Sequence, residues 1–233
     1  MYYFFRTSSD PKVIGVRNGI YQAEFDKNCF STKEGFGKYQ KLFSAGKIVK
    51  EESQIKEVVS ELVNLNLLKS ARLTDFLQFS PHLPGVKFLI SDRLKNILEN
   101  FRIADHHFYK TSILDQKTNR EHPYYFFYYK SIPITDIVFS KSELFTRKVD
   151  IVDGATKFID TFYPINDEHN YRILTSTLFL PNFSRICIAS KYKNHDYINV
   201  NNHAFISEEL KQRIIDIGIT GITFNDQCEL IFD

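Results

Sequence analysis

Two segments of the chain, 116 residues apart, share one pattern of apolar, serine and acidic residues. They cover residues 88–103 and 204–219, and each places an apolar run before a serine, Ser91 or Ser207, which an acid follows. A serine caps the free amides of a first helical turn, and an acid there interacts favourably with the helix dipole. Each segment therefore predicts a strand, a Ser-capped helix of about ten residues and a following strand.

The two predicted helices have matching apolar stripes at helical spacing. The first stripe consists of Leu94, Ile97, Leu98 and Phe101. The second consists of Leu210, Ile214 and Ile217. Gly218 and Gly221 follow the second helix, where glycine commonly ends a helix or enters a tight turn.

The rest of the chain predicts strands and one more helix. Apolar residues at helical spacing after Ser53 predict an amphipathic helix, and residues 26–47 predict an irregular loop. Aromatic and β-branched residues predict strands at 2–5, 13–16, 124–129, 132–139, 157–163, 172–180 and 186–189. We therefore expect residues 1–233 to form a single α+β domain with a mainly antiparallel sheet covered by about three helices.

The charge balance argues against a nucleic-acid partner. The chain has 30 Lys and Arg against 28 Asp and Glu, far from the cationic excess of most nucleic-acid binders. Residues 1–149 hold 23 basic and 16 acidic side chains, whereas residues 150–233 hold 7 and 12. This difference predicts an electrically two-faced molecule; a chance asymmetry over a mixed surface is the alternative.

The cysteines and the apolar runs predict a reduced, cytoplasmic protein. Cys29, Cys187 and Cys228 are an odd number at long spacings, which disfavours a disulfide scaffold, and the apolar neighbours of Cys187 predict a buried side chain. The opening residues lack the basic region of a signal peptide. No stretch reaches the roughly 18 apolar residues of a membrane span, so no membrane partner is expected.

The sequence contains none of the common nucleotide-binding, hydrolase or metal-binding motifs. The adjacent histidines at 106–107 would point to opposite faces of a strand and could not chelate one ion. The remaining candidates for a base and its orienting carboxylate are Asp105 with His107, and His195 with Asp196 and His203. We predict no enzyme activity, no cofactor and no metal; a small cytoplasmic hydrolase or transferase using a His and an acid is the alternative.

The aromatic run at 124–129 has two interpretations. It could be a platform on which nucleic-acid bases stack, but such platforms lie in cationic grooves, and only Arg120 and Lys130 flank the run. An aromatic-rich strand more commonly divides its side chains between the core and cross-strand packing. We favour the second interpretation.

Two predicted loops have the composition of protein-binding surfaces. Residues 164–170 are polar and acidic, and residues 191–203 mix Tyr, Asn and His, which supply rigid contact area and adaptable hydrogen bonds. Plain solvated loops are the alternative. The candidate binding residues, which include acids in predicted turns, are Asp153, Asp167, Glu168, Tyr192, His195, Asp196 and Tyr197.

Several of these segments resemble bacterial immunity proteins of polymorphic-toxin and type VI secretion systems. The resemblance to immunity family eleven lies in residues 89–99 (LISDRLKNILE), the strands predicted at 124–129 and 132–139, and residues 205–211 (FISEELK) with 218–224 (GITGITF). Residues 2–19 resemble the neighbouring immunity family forty-three equally well, so two family assignments stay open.

The resemblance covers residues 86–225 and consists of core and capping patterns, without catalytic residues to carry over. It implies a non-enzymatic inhibitor that binds a cognate toxin domain made by the same cell. It leaves the toxin's activity, the mode of inhibition and the oligomeric state open. Basic toxin active sites would suit the acidic second half of the chain, and Tyr192 and Tyr197 would be contact anchors.

Overall fold

The computed structural model of the chain describes residues 1–17, 19, 21–44, 52–83, 85–152, 155–201 and 203–233. Contacts divide the chain into two compact units, each assembled from separate segments. Unit 1 comprises Met1–Phe5, Ser131–Glu208 and Phe224–Asp233, and unit 2 comprises Arg6–Lys130 and Glu209–Thr223. The expectation that residues 1–233 form a single domain stays a prediction.

The described residues form fourteen strands and six α-helices. The strands are β1 (Tyr2–Thr7), β2 (Ala23–Glu24), β3 (Asn64–Leu67), β4 (Phe76–Leu83), β5 (Val86–Ser91), β6 (His106–Asp115), β7 (Arg120–Tyr129), β8 (Glu143–Val152), β9 (Ala155–Pro164), β10 (Asn182–Ile188), β11 (Tyr197–Val200), β12 (His203–Ser207), β13 (Ile222–Asn225) and β14 (Glu229–Phe232). The helices are α1 (Pro11–Ile14), α2 (Lys33–Ser44), α3 (Glu52–Glu61), α4 (Asp92–Leu98), α5 (Glu168–Thr177) and α6 (Glu208–Ile217). Within the described ranges, no helix is long and apolar enough to cross a membrane.

Unit 2 is built around a closed barrel with the strand order β2-β3-β6-β7-β5-β4. Large side chains fill its interior, among them Leu65, Leu77, Phe79, Leu89, Ile113 and Phe126. Helix α3 packs Ile55, Val58 and Val59 into the same core. The helix predicted after Ser53 and its buried face are therefore confirmed.

Unit 1 contains a four-stranded sheet with the order β14-β10-β8-β9, in which β10 and β14 are parallel and the other pairs antiparallel. A second sheet has the order β11-β12-β1-β13. Buried residues of this unit include Leu144, Phe183, Ile186, Val200 and Phe205. Cys187 is fully buried, as its apolar neighbours predict.

The predicted α+β class with antiparallel sheets is confirmed. The strands are distributed over three sheets, one of which closes into the barrel, and the described helices number six. The sequence patterns identified the class of element but not how many sheets the strands form. That number depends on which strands pair, and pairing is decided by contacts between distant segments.

Three predicted segments have a different structure from the one expected. Residues 132–139 were expected as a strand, but they contain the 3₁₀ turn Ile134–Asp136 and enter a second at Phe139–Lys141. Residues 13–16 include the end of α1, which Asp10 caps by accepting a hydrogen bond from the Lys12 amide. Residues 26–47 include α2, whose Tyr39 is buried in the barrel core. Caps and tertiary burial outweigh propensity in these short segments.

The prediction of a strand at 172–180 is wrong, because most of this segment belongs to α5. The carboxylate of Asp167 accepts a hydrogen bond from the Asn170 amide at 2.7 Å and caps the first turn. Tyr171 is buried on the inner face of the helix. The cap and this buried contact favour the helix over the β propensity of the threonines that follow.

The two segments adopt the predicted order of strand, helix and following strand, although α4 has 7 residues where about ten were expected, and α6 has 10. Ser91 ends β5 directly before α4, and Ser207 ends β12 directly before α6. Each serine also contacts one aspartate twice. Ser91 donates its amide to the Asp75 carbonyl at 2.9 Å and its hydroxyl to the Asp75 carboxylate at 2.7 Å. Ser207 donates its amide to the Asp196 carbonyl and its hydroxyl to the Asp196 carboxylate, both at 2.8 Å.

The similarity between the two segments extends to one more strand in each case, β7 beside β5 and β1 beside β12. Strand β5 pairs antiparallel with β4 and β7, and β12 pairs antiparallel with β11 and β1. Ser91 lies opposite Tyr124, and Ser207 lies opposite Tyr2; both tyrosines begin the sequence Tyr-Tyr-Phe-Phe. We call β4, β5, β7 and the start of α4 the barrel motif, and β11, β12, β1 and the start of α6 the sheet motif.

The first tyrosine makes a similar contact in both motifs. The Tyr124 hydroxyl donates to the Thr74 carbonyl at 2.8 Å, and the Tyr2 hydroxyl shares its one proton between the carbonyls of Lys193 at 2.6 Å and His195 at 2.9 Å. Thr74 and His195 are the residues directly before the serine-binding aspartates. Each tyrosine therefore fixes the chain at the start of the neighbouring strand.

The second tyrosine contacts the acid in the first helical turn. The Tyr125 hydroxyl donates to the Asp92 carboxylate at 3.1 Å, and the Tyr3 hydroxyl donates to the Glu208 carboxylate at 3.3 Å. Burial of the phenol and then the adjacent carboxylate raise the pKa of both tyrosines. The internal repeat is thus a shared network of hydrogen bonds as well as a shared sequence pattern.

Candidate protein-interaction surface

The predicted binding loop at 164–170 contains the end of β9 and the first turn of α5. Asp167 is the N-cap of this helix, and Glu168 forms an ion pair with Arg172 one turn later. Asp167 is exposed and Glu168 is half-buried. Both carboxylates lie at the surface of unit 1, but each also stabilises α5.

The predicted binding loop at 191–203 includes the end of the 3₁₀ turn Ser190–Tyr192, the strand β11 and the first residue of β12. Before β11, the Tyr192 hydroxyl donates to Asp136 at 2.5 Å, and Lys191 pairs with the same carboxylate at 2.8 Å. Lys191, followed by Tyr192, lowers the pKa of Asp136. Burial and the Asp136 carboxylate raise the pKa of the Tyr192 phenol. Tyr192 stays half-buried and available for contact.

Asp196 and Tyr197, which were expected to contact a partner, make contacts within the chain instead. Asp196 holds Ser207 through its carbonyl and carboxylate. Tyr197 is 2% exposed and packs edge-on against Phe5 with ring centroids 5.7 Å apart. The expectation of an exposed anchor at Tyr197 is therefore wrong. All four residues of β11 are buried, and Ile198 and Val200 pack into the core of unit 1.

One hydrogen bond joins the second predicted loop to helix α5, directly after the first predicted loop. The side-chain amide of Asn201, in the turn after β11, donates to the Tyr171 hydroxyl of α5 at 2.8 Å. Tyr192 and His195 precede β11 and lie at its other end, roughly 15 Å away along an extended strand. The first turn of α5 and the 201 turn are therefore neighbours, and the 192–196 segment is a separate part of the surface. Asp153 lies outside the described residues.

The charge asymmetry of the sequence follows the two structural units. Unit 1 holds 8 Lys and Arg against 12 Asp and Glu, and unit 2 holds 22 against 16. Their formal net charges are therefore −4 and +6. The predicted binding residues all belong to the acidic unit, which would attract a cationic partner.

Sequence reasoning missed an apolar surface on the β8–β9 hairpin. Val149 lies opposite Phe158, and Phe145 lies opposite Phe162, so these side chains share one face of the hairpin. Val149 is 57% exposed, Ile151 73%, Phe158 60% and Phe162 54%. We call these four residues the apolar ribbon face. The alternation along β8 could have predicted the strand, but periodicity does not tell which face meets solvent.

The histidines proposed for catalysis have main-chain and aromatic neighbours. Nδ1 of His195 lies 3.2 Å from the Tyr192 carbonyl oxygen, and Nδ1 of His203 lies 3.0 Å from the Asn201 carbonyl oxygen. The His107 ring stacks on Tyr109 and Tyr128, with centroids 5.9 Å and 6.3 Å away. No group of three or more His, Cys, Asp or Glu within the described ranges is arranged to hold a metal ion.

The aromatic run at 124–129 is part of the barrel wall. Five of its six side chains are buried, and Tyr125 is partly exposed. Phe126 points into the barrel core, where it packs edge-on against Phe79 with centroids 5.4 Å apart. The interpretation as a core strand is confirmed, because buried rings have no free face on which a base could stack.

Comparison with known proteins leaves the family open. No protein-family model matches the sequence. No curated protein matches it either.

Proposed function

We propose that this chain is a non-enzymatic immunity protein that binds and neutralises a cognate toxin domain. The observation that carries the proposal is the concentration of negative charge, −4 in unit 1 against +6 in unit 2. A toxin that binds a nucleic-acid or nucleotide substrate through cationic groups would associate faster with an acidic surface. The resemblance to immunity families supports the same function.

The proposed contact surface is the first turn of α5 with the neighbouring 201 turn. It holds the exposed Asp167 and the half-buried Glu168, and Asn201 joins the two segments through Tyr171. Tyr192 and His195 form a second part of the surface beyond β11. Tyr197 is buried and lies outside this surface.

A growth-protection experiment tests the function. The probe is the C-terminal domain of the large secreted protein that we expect to be encoded directly upstream of this gene. Expressing that domain alone should stop growth, co-expression of this chain should restore it, and the two purified proteins should form a complex. Absence of protection and of a complex would contradict the proposal.

Paired neutralising substitutions locate the contact surface. Asp167→Asn keeps a capping side chain, so Asp167→Asn with Glu168→Gln removes two charges with little effect on α5. The matched control, Glu34→Gln with Glu57→Gln, removes two exposed charges from unit 2. We expect the first variant, and not the control, to slow association by several-fold and to weaken its dependence on salt. Equal association rates would exclude this surface.

Enzyme assays separate this function from the hydrolase or transferase alternative. The purified chain should show no turnover in hydrolase, nuclease and transferase screens. A turnover that His107→Ala or His195→Ala abolishes would favour the alternative.

A further inference from the structure

Strand β10 pairs with only the first residues of β8, so the rest of the β8–β9 hairpin extends beyond β10. The pairs between β10 and β8 are Arg185 with Glu143, Phe183 with Leu144 and Asn182 with Phe145. Pairing between β8 and β9 continues beyond Phe145 to residue 152. Residues 146–152 and 155–161 therefore form a two-stranded ribbon beyond the part of β8 that β10 pairs.

The two faces of the ribbon differ in chemistry. The apolar ribbon face carries Val149, Ile151, Phe158 and Phe162. The opposite face carries Thr146, Lys148, Asp150, Lys157, Ile159 and Thr161. The four exposed apolar side chains present roughly 400 Å² of apolar surface, which is in the range of patches that usually have a binding role.

Arg147 and Asp160 lie on the same side of the hairpin as the apolar ribbon face, and their charges neutralise each other. Arg147 donates two hydrogen bonds to the Asp160 carboxylate, both at 2.7 Å. This pair raises the pKa of Arg147 and lowers the pKa of Asp160. The guanidinium also lies over the rings of Phe145 and Phe158, 5.5 Å and 5.4 Å from their centroids. The face as a whole has one cation, one anion and no net charge.

We propose that the apolar ribbon face binds the same face of a second copy of this chain about a two-fold axis. A face with one cation beside one anion is complementary to its own copy, because the cation of each copy can approach the anion of the other. A strongly cationic partner would instead need unpaired acids. The acids proposed to attract a toxin, Asp167 and Glu168, lie on α5 rather than on the ribbon.

The area fits a weak to moderate dimer. Two copies would bury roughly 800 Å² of apolar surface, and the polar side chains between them bring the total above about 1,000 Å², the lower limit for specific interfaces. Phe179 and Leu180, which are 83% and 70% exposed, precede β10 near the base of the ribbon. They would add to the contact if the second copy reaches that far.

Sedimentation of the full-length protein at concentrations up to about 100 µM tests the proposal. Val149→Thr with Ile151→Thr keeps β-branched side chains and should raise the dimer dissociation constant at least about tenfold. Ile159→Thr is the control, since Ile159 is 42% exposed on the opposite face. A monomeric wild-type protein, or equal dissociation constants for the variant and the control, would overturn the proposal.

Spin labels give a second measurement that does not depend on the apolar substitutions. Cys29, Cys187 and Cys228 are buried, so a label on Thr156→Cys would be selective. Thr156 shares the apolar ribbon face with Ile151, and Lys157, at the same level of the ribbon, lies on the other face. Labels at 156 should be closer across the dimer than labels on Lys157→Cys; the reverse order would overturn the proposal. If the protein is monomeric alone but the ribbon variant loses toxin protection, the toxin occupies this face, and the second copy is excluded.

Discussion

The barrel motif and the sheet motif contain the same network of hydrogen bonds in different surroundings. In both, an aspartate holds the serine before a helix, one tyrosine holds the start of the neighbouring strand, and a second tyrosine contacts the first acid of the helix. The barrel motif lies in the wall of a closed barrel, whereas the sheet motif belongs to an open sheet. The two motifs therefore share a network of contacts between distant segments, and the surrounding fold determines how much of it is buried.

Burial of the aspartate is the clearest difference. Asp75 is 6% exposed and receives further hydrogen bonds from the amide and hydroxyl of Thr220 at 2.9 Å and 3.0 Å. Asp196 is half-buried. Because a hydrogen bond to a charged group is worth more when water cannot replace it, the same substitution should have unequal effects in the two motifs.

The largest expected effect is that of replacing the aspartates. Asp75→Ala should lower the free energy of unfolding by about 3 kcal/mol, because it removes a buried carboxylate and leaves several part-buried donors unpaired. Asp196→Ala should cost about 1 kcal/mol. Denaturant titration of both variants measures the difference. Equal losses would show that burial does not distinguish the two motifs.

The same titrations test whether residues 1–233 unfold as a single domain. Neither unit is a continuous segment, since the chain passes between them several times. We therefore expect a single transition that both substitutions shift, as in two-state unfolding. Two transitions, each shifted by one substitution, would contradict the single-domain prediction.

The next effect is that of removing the first tyrosine's hydroxyl. Tyr124→Phe should cost about 1.5 kcal/mol, since it leaves the buried Thr74 carbonyl without this donor, and Tyr2→Phe about 0.5 kcal/mol. The Tyr2 hydroxyl is nearer to solvent, so water can take its place. Thermal and denaturant unfolding of both variants would check the order, and a larger loss from Tyr2→Phe would reverse the comparison.

Alkaline pH should separate the same two tyrosines. Burial, followed by the Asp75 charge, strongly raises the pKa of Tyr124, and burial with Asp196 raises that of Tyr2. A raised phenol pKa means that the folded protein holds the proton more tightly than the unfolded chain. Its stabilisation is complete below the ordinary tyrosine pKa near 10 and is lost as the pH rises above it. Tyr124→Phe should reduce this alkaline loss more than Tyr2→Phe; unfolding measured from pH 8 to 11 would show it.

Replacing the serines should have a smaller and more equal effect. Ser91→Ala removes the cap on the Leu94 amide, at 3.3 Å, and the hydrogen bond to Asp75. Ser207→Ala removes the hydrogen bond to Asp196. Each should cost about 1 kcal/mol, and the two losses should differ less than those of the aspartates. A loss at one serine only would show that the repeat has no common energetic role.

The smallest effect is expected at the second tyrosine. Tyr125→Phe and Tyr3→Phe remove exposed hydroxyls from an acid at the start of a helix. Water can replace both hydrogen bonds, so the unfolding midpoint should stay unchanged within error. A clear shift for either variant would mean that the exposed end of the network stabilises the fold.

The sequence by itself determined the local part of this structure. Serine, acid and apolar spacing predicted the two strand–helix–strand segments because capping and amphipathic burial act over a few residues. Gly218 and Gly221 were expected after the second helix, and both have positive φ, 69° and 86°. The same local reasoning failed at 172–180, where the strand propensity of the threonines was a poor guide beside the cap at Asp167.

Only the tertiary structure decided which segments meet. The second Tyr-Tyr-Phe-Phe does not follow the constant sequence offset of the repeat. Strand β1 comes from the start of the chain, whereas β7 follows α4, so the two motifs have different strand orders along the sequence. A Cβ on Gly221 would lie 2.2 Å from the Phe76 carbonyl oxygen, a contact between residues far apart in sequence. Likewise, burial of Tyr197 and exposure of the apolar ribbon face depend on which strands pair. Strand pairing is set by long-range packing, which no local pattern specifies.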